Sequence, residues 1–249
     1  MNLLLCLLLP ALYAASEKDF SRPLPQAIVE KADGILALPE GKVTGRLKHV
    51  YIGGKSFAFD VQVITSGENS LALFHSKRRG EEIKILSRLK GADVHVFFMQ
   101  QEARHIHKTP GSDKYQPALK TNYSYADFSG YSLRNNYHAR AAGEEAVKGR
   151  ECYKTELIAL EPAFGYSNLM LYSEKETLMP LRIEYRLKPG IIIKVLEIAR
   201  VMEKGGDVFP VRYEMSDVRS GSVSFLVFYK PNLTYKADPS LFNPSEHER

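Results

Sequence analysis

The sequence predicts a mainly β protein built as an antiparallel meander. Stretches with apolar residues at every second position recur along most of the chain, and short Gly-containing turns separate them. In the stretch 56–64, four apolar residues share one side of a strand, and Ala58, Asp60 and Gln62 face the other side. Helix-length segments do not alternate with the strands, which argues against a parallel α/β fold. Such a meander must curl, close or split to protect its edges.

The predicted elements follow in a simple order. A helix comes first, over residues 24–36, because Pro25 suits a first turn and an apolar face follows it, with Gly34 as a plausible stop. Strands are predicted at 45–52, 56–64, 70–76, 81–87, 93–99, 152–160, 168–173, 181–187, 191–198, 209–218 and 222–229.

Residues 110–136 interrupt the alternating pattern. They form a long aromatic-rich connection with one or two short helical turns, and Asp127 is expected to cap one of these. Connections of this length inside compact domains are usually lids or binding elements.

The N-terminus indicates export from the cytoplasm. Residues 1–15 contain an apolar run and then small residues, and the first charged residue is Glu17. The run is too short to span a bilayer and fits a signal peptide cleaved after Ala14 or Ala15. A buried N-terminal strand or helix is the alternative. We expect residues 16–249 to form a single domain.

Charge and cysteine content exclude several classes of protein. The net charge of +5 comes from scattered Lys and Arg, so nucleic-acid binding is not indicated. Cys152 is the one cysteine left after cleavage, which excludes an internal disulfide. We expect it to be a small buried thiol at the start of a strand.

The sequence also lacks the signatures of catalysis. It contains no Gly-rich phosphate loop, no Gly-x-Ser-x-Gly elbow and no Cys-x-x-Cys pair. His105 and His107 share one face of a strand, but two ligands are too few for a metal site. We therefore expect no catalytic residues, no metal and no cofactor. The pattern alone leaves two structures open, a sandwich with covered faces and a curled sheet with a cavity for an apolar ligand.

Several segments resemble, in the same order, the LolA-like proteins of outer-membrane lipoprotein sorting. The similar segments are YSYADF at 123–128, LALFHSKRRGEEIKILSRLKGADVHVFF at 71–98, GRECYKTELIAL at 149–160, LRIEYRLKPGIIIKVLEI at 181–198 and FPVRYEMSDVRSGSVSFLVF at 209–228. The resemblance extends from about residue 25 to residue 235. The chain departs from the family pattern in having no tryptophan and in having SYADF where SYEDL is usual.

The resemblance implies an incomplete antiparallel β-barrel, a curled meander, with short helices as a lid over the concave face. It also implies a monomeric periplasmic carrier that takes an acylated lipoprotein or a related lipid from an inner-membrane transporter to an outer-membrane acceptor. A carrier of another apolar lipid beside an inner-membrane transporter is one alternative, and a non-transporting envelope assembly module is another.

Candidate ligand contacts come from the apolar strand faces and from the long connection. The cavity-lining candidates are Phe57, Phe59, Val61, Val63, Val96, Phe98, Met170, Ile193, Val195, Phe225 and Val227. The lid candidates are Tyr123, Tyr125 and Phe128, because aromatic side chains combine an apolar body with a polar tip. Plain core packing is the other interpretation of each lining residue, since the pattern does not fix which strand face points inwards.

Overall fold

The computed structural model describes residues 22–78, 80–90, 93–100, 106–108, 115–128, 132–161, 166–188, 190–204 and 207–247. Its helices are α1 (Pro25–Leu36) and α2 (Leu133–Asn136), and short 3-10 turns lie at Ala126–Phe128, Pro239–Phe242 and Pro244–His247. Its strands are β1 (Gly41–Val50), β2 (Ser56–Ser66), β3 (Asn69–Ser76), β4 (Glu81–Lys90), β5 (Asp93–Gln100), β6 (Ile106–Lys108), β7 (Tyr137–Val147), β8 (Arg150–Ala159), β9 (Asn168–Glu174), β10 (Pro180–Lys188), β11 (Ile191–Lys204), β12 (Asp207–Asp217) and β13 (Val223–Asn232).

The strands form one antiparallel sheet that does not close. Its order is β6-β5-β4-β3-β2-β1-β13-β12-β11-β10-β9-β8-β7. The predicted incomplete barrel is therefore confirmed, and the alternative of two facing sheets is wrong. β6 and β7 follow each other in the sequence but form opposite edges of the sheet, so the connection between them has to pass from one edge to the other.

The core lies between the concave face of the sheet and the helical elements. Registered neighbours across the middle strands are Phe59, Leu47, Leu226 and Tyr213, which are buried in one apolar cluster. Helix α1 adds Ile28, Val29 and Ala32 to that cluster, and the connection adds Ala118, Leu119 and Tyr123. The helix and the connection thus take the place of a second sheet.

Helix α1 matches the predicted span 24–36, although Gly34 does not end it. Gly34 lies within the helix, and the helix ends at Leu36, where the N–H of Ala37 donates to the carbonyl of Asp33. The physical reason is that Ile35 prolongs the buried face beyond the glycine. The carboxylate of Asp33 also accepts hydrogen bonds from the backbone N–H groups of Leu133 and Arg134, so α1 fixes the start of α2.

Strand β7 was not predicted because its sequence lacks apolar alternation. Most of its residues are exposed, as suits a charged edge strand. Cys152, in the adjacent strand, is buried as expected, and its Sγ donates to the carbonyl of Arg150 at 3.3 Å.

Among the described residues, no helix is both long and apolar enough to cross a membrane. They also contain no group of three or more side chains suited to metal binding. The side chains of His105 and His107 lie outside the described part of the chain.

Candidate functional site

The concave face opens into a groove beside the C-terminal half of α1. The groove has a volume of about 810 Å³. Its apolar lining consists of Ile35, Leu38, Met179, Leu181, Ile198, Val201, Val208 and Phe209, and its charged lining of Glu30, Lys31, Glu40, Arg150, Glu174 and Arg200. Ile198 is the register partner of Tyr213, which places the groove on the same face as the core.

The dimensions of the groove suit a small apolar ligand. Ligand sites in proteins typically enclose about 300–1,000 Å³ and combine an apolar lining with a few polar groups. The volume of the groove lies in this range, and its lining combines apolar residues with charged residues of both signs.

Another part of the concave face is covered by residues 115–128, which we call the lid segment. The segment begins as a small hairpin, in which the N–H of Ala118 donates to the carbonyl of Tyr123 at 2.7 Å. Leu119 and Lys120 form its turn, and both have a φ of 57°. Left-handed φ values are unfavourable for such residues, so the surrounding packing must hold the turn in place.

The lid segment places aromatic rings on the apolar face of the sheet. The ring of Phe128 lies edge-on to that of Phe74, with centroids 5.0 Å apart. Tyr123 lies 5.5 Å from Phe128 and is buried, whereas Tyr125 is half-buried against the same cluster. The three predicted lid residues therefore lie over the concave face and contact its core.

One polar anchor holds the middle of the lid segment to the β12–β13 hairpin. The side-chain amide of Asn122 donates to the carbonyls of Met215 at 2.9 Å and Ser222 at 2.8 Å. Its backbone N–H donates to the hydroxyl of Ser224, which also lies 2.9 Å from Nδ1 of His49. Burial lowers the pKa of His49, so the neutral imidazole is favoured at this contact.

A second anchor joins the end of the lid segment to β11. Ser124 and Asp127 form a reciprocal cap of the 3-10 turn, in which the carboxylate of Asp127 accepts from the N–H of Ser124 at 2.7 Å. The same carboxylate oxygen lies 2.7 Å from Nζ of Lys194. The predicted capping role of Asp127 is thus accompanied by an ion pair to the sheet.

Lys194 is an unusual residue for a strand interior. Its side chain is 7% exposed, and its Nζ lies 4.5 Å and 4.4 Å from the ring centroids of Tyr166 and Tyr185. Burial lowers the pKa of Lys194, while the carboxylate of Asp127 opposes that change. The sequence analysis missed this residue, although a lysine inside the apolar run 191–198 was the available signal.

The predicted lining residues separate into several groups. Phe59, Val61 and Val63 are buried in the core of the concave face, and Phe57 and Ile193 are half-buried beside it. Met170 belongs to a separate buried cluster that includes Cys152. Val96 and Phe98 have side chains outside the described part of the chain.

The remaining three candidates point away from the core. Phe225 and Val227 are register partners of Lys48 and Arg46 on the outer face, because Leu226 and Phe228 take the inward positions of β13. Val195 likewise alternates with the buried Leu196. None of the nine candidates with described side chains lines the groove beside α1, so the role of the candidates as ligand contacts stays a prediction.

Solved structures share this fold. A LolA superfamily protein from Nitrosomonas europaea aligns with a TM-score of 0.74 and 19% identity over 90% of this chain and 100% of that chain. A DUF1329 family protein from Desulfovibrio piger aligns with a TM-score of 0.75 and 18% identity over 89% and 97%. A protein from Vibrio parahaemolyticus, provisionally described as an outer-membrane lipoprotein-sorting domain, aligns with a TM-score of 0.76 and 14% identity over 90% and 98%.

These comparisons confirm the LolA-like resemblance at the level of the fold. A search of curated proteins finds no match for this chain. The model of a family described as "Uncharacterized protein" matches residues 66–249, which is more than half of the chain. The chain therefore belongs to the family that this model describes, and its fold is that of the LolA superfamily.

Proposed function

We propose that the protein is a periplasmic carrier that binds the acyl chains of a lipoprotein or a related lipid and delivers them toward the outer membrane. The observation that carries the proposal is the groove of about 810 Å³, lined by apolar and charged residues, on a concave face that the separately anchored lid segment covers in part. The shared fold with a LolA superfamily protein supports it.

The physical requirement for such a carrier is an apolar lining. Each buried methylene of an acyl chain contributes about 0.8 kcal/mol, so a long chain does not cross water unaided at a useful rate. The groove supplies part of this lining, and the core residues beneath the lid segment supply more if the segment moves. Ligand binding would then shift the population towards the open form of the lid.

Release of the ligand would depend on the same open and closed forms of the lid segment. The rings of Tyr123 and Phe128 cover the concave face in the closed form, so they compete with an acyl chain for the same apolar surface. An acceptor then has only to bind the chain more strongly than the carrier does. No covalent step is needed, so we propose that the protein is not an enzyme.

Export and partners complete the proposal. Residues 1–15 would direct the chain to the periplasm, an inner-membrane transporter would act as donor, and an outer-membrane component would act as acceptor. The first fifteen residues lie outside the described part of the chain, and the proposal for them depends on their sequence.

Mass spectrometry of what co-purifies with the protein from the periplasm tests this function. Acylated peptide in the extract supports lipoprotein transport, and free lipid supports the alternative of a carrier for another lipid. Titration of the delipidated protein with a dansyl-labelled fatty acid measures binding directly. An extract without acyl chains together with no saturable fatty-acid binding would contradict both.

A further inference from the structure

Several hairpin turns meet at one end of the sheet. Val50 is the register partner of both Ser56 and Val223, so the β1–β2 turn (51–55) and the β12–β13 turn (218–222) lie side by side. The β3–β4 turn (77–80), the β10–β11 turn and the C-terminal end of β8 lie at the same end, because each pair of neighbouring strands is antiparallel. We call this set the tip end.

Exposed apolar side chains cluster at the tip end. It carries seven of the eleven large apolar side chains that the described part of the chain leaves exposed, namely Tyr51, Ile52, Ile158, Leu160, Leu187, Ile191 and Val218. Ile52 is 79% exposed and lies at the tip of its hairpin. Concentrated exposed apolar surface marks an interaction site more often than scattered single residues do.

Two of the turns contact each other and form a continuous surface. A Cβ atom built on Gly221 would lie 3.4 Å from Cδ1 of Ile52. Val218 and Arg219 belong to the same turn as Gly221, so an aliphatic side chain and a basic one lie next to the Ile52 turn.

The tip end is also basic. Its three longer turns contain Lys55, Lys77, Arg78 and Arg219 among their described residues and no acidic residue. Lys77 forms a weak pair with Asp60, and its side chain is still 80% exposed. At the opposite end of the sheet, the described turns 67–68, 148–149 and 175–179 contain two basic and two acidic residues, so these turns carry no net charge.

Basic side chains continue onto the outer face behind these turns. A shallow outer groove of about 870 Å³ is lined by Arg46, Lys48, Lys77 and Arg78, with Asp60 as its one carboxylate. Arg46, Lys48 and Arg78 make no ion pair with a described residue. Cations without partners next to exposed aliphatic tips are the features that attract a protein to an anionic lipid surface.

We infer that the tip end docks onto an anionic phospholipid bilayer, with Tyr51, Ile52 and Val218 entering the interfacial layer and Lys55 and Arg219 contacting lipid phosphates. The apolar residues stand on successive turn tips, an arrangement that suits a planar partner better than a single protein groove. This docking goes beyond the proposed carrier function and does not require that an acyl chain be bound. Because Asn122 anchors the lid segment to the β12–β13 hairpin, docking would bring the lid segment close to the lipid surface.

Vesicle co-sedimentation tests the docking. Purified proteins with identical N-termini are mixed with vesicles of phosphatidylglycerol and phosphatidylcholine or of phosphatidylcholine alone. The wild type is expected to bind the anionic vesicles preferentially and to lose this binding as salt is raised. Lys55→Gln and Arg219→Gln should each weaken partitioning about fivefold, and Ile52→Ser about tenfold.

Matched variants elsewhere on the surface serve as controls. Leu24 is 74% exposed and lies outside the tip end, so Leu24→Ser removes a similar apolar side chain. Lys230 is exposed near the opposite end of β13, so Lys230→Gln removes a similar charge. Both are expected to bind vesicles as the wild type does. If the wild-type protein does not bind anionic vesicles, or if the control variants weaken binding as much as Lys55→Gln, Arg219→Gln and Ile52→Ser do, the bilayer is not the partner. An acidic protein would then be the better candidate.

Discussion

Nζ of Lys194 and Oδ2 of Asp127 lie 2.7 Å apart in a largely buried ion pair that joins the lid segment to β11. The tyrosine rings of residues 166 and 185 flank the lysine, so water has little access to it. The pair therefore couples the position of the lid to the interior of the sheet.

Removing the lysine should destabilise the protein. Lys194→Met leaves the carboxylate of Asp127 buried without its cation, and breaking a buried pair in this way costs about 3 kcal/mol or more. Urea unfolding measures the change. Lys148→Met is the control, because Lys148 pairs with Glu197 at 2.9 Å but is 59% exposed, and its loss should cost less than about 1 kcal/mol. Equal costs for the two variants would contradict a special role for the Lys194 pair.

Tyr123→Phe should be neutral or stabilising. The hydroxyl of Tyr123 is buried and has no hydrogen-bond partner among the described residues, so its removal relieves an unsatisfied polar group worth about 1–3 kcal/mol. Tyr172→Phe provides the contrast. The hydroxyl of Tyr172 donates to the carboxylate of Glu184 at 3.1 Å, so its removal should destabilise the protein. The free energies of unfolding of both variants and of the wild type test this difference. A loss of stability in Tyr123→Phe would show that the hydroxyl has a role in the lid segment.

Stability should fall steeply at alkaline pH. Burial raises the pKa of Tyr123, Tyr185 and Tyr213 above the usual range. Above about pH 10 the unfolded chain therefore releases phenolic protons that the folded protein retains, which favours unfolding by about 1.4 kcal/mol per pH unit for each tyrosine. The contribution is fully present below about pH 10 and is lost as the pH rises. Unfolding free energies from about pH 9 to 11 should show a smaller slope in Tyr213→Phe.

Gly34→Trp should block the groove. A Cβ at this position meets nothing within 4 Å, and Gly34 lines the groove from within α1. The indole would therefore fill the space without straining the helix, and we expect binding of a dansyl fatty acid to weaken at least about tenfold. Gly34→Ala is the matched control, which should keep binding and slightly stabilise the helix. Unchanged binding in the tryptophan variant would place the ligand elsewhere.

Gly45→Ala should damage the sheet itself. A Cβ at Gly45 would lie 2.2 Å from the carbonyl oxygen of Val227 and 2.8 Å from the ring of Phe228, where β1 bulges against β13. Relief of such overlap requires movement of the backbone, so the cost should be about 2 kcal/mol or more. The melting temperatures of Gly45→Ala and Gly34→Ala measure this cost. Similar melting temperatures for the two variants would show that the backbone at Gly45 relaxes easily.

Much of the fold was predictable because the strands obey a simple alternation. In β2, the pattern placed the apolar residues from Phe57 to Val63 on one side of the strand, and this side packs against the core. β7 escaped prediction because an exposed edge strand needs no apolar alternation. Gly34 does not end α1, because tertiary contacts of Ile35 outweigh local propensity.

The site was less predictable than the fold. Phe225 and Leu226 are equally apolar and adjacent, so sequence alone could not decide which of them faces the core. The groove beside α1 combines residues of a helix, two loops and five strands, and their meeting depends on curvature that no local pattern encodes. The Lys194 pair joins residues 67 positions apart in the sequence and had no motif to reveal it.

The order of the strands has a consequence for the synthesis of the protein. β1, the first strand, pairs with β13, the last, so that Lys42 meets Asn232. Each half of the sheet can assemble from consecutive hairpins as it emerges from the ribosome, but β1 keeps an unpaired side until the final strand arrives. A nascent chain at that stage would expose the unpaired backbone N–H and C=O groups of β1 to other chains. Newly made protein should therefore depend on chaperones more than the stability of the folded protein would suggest.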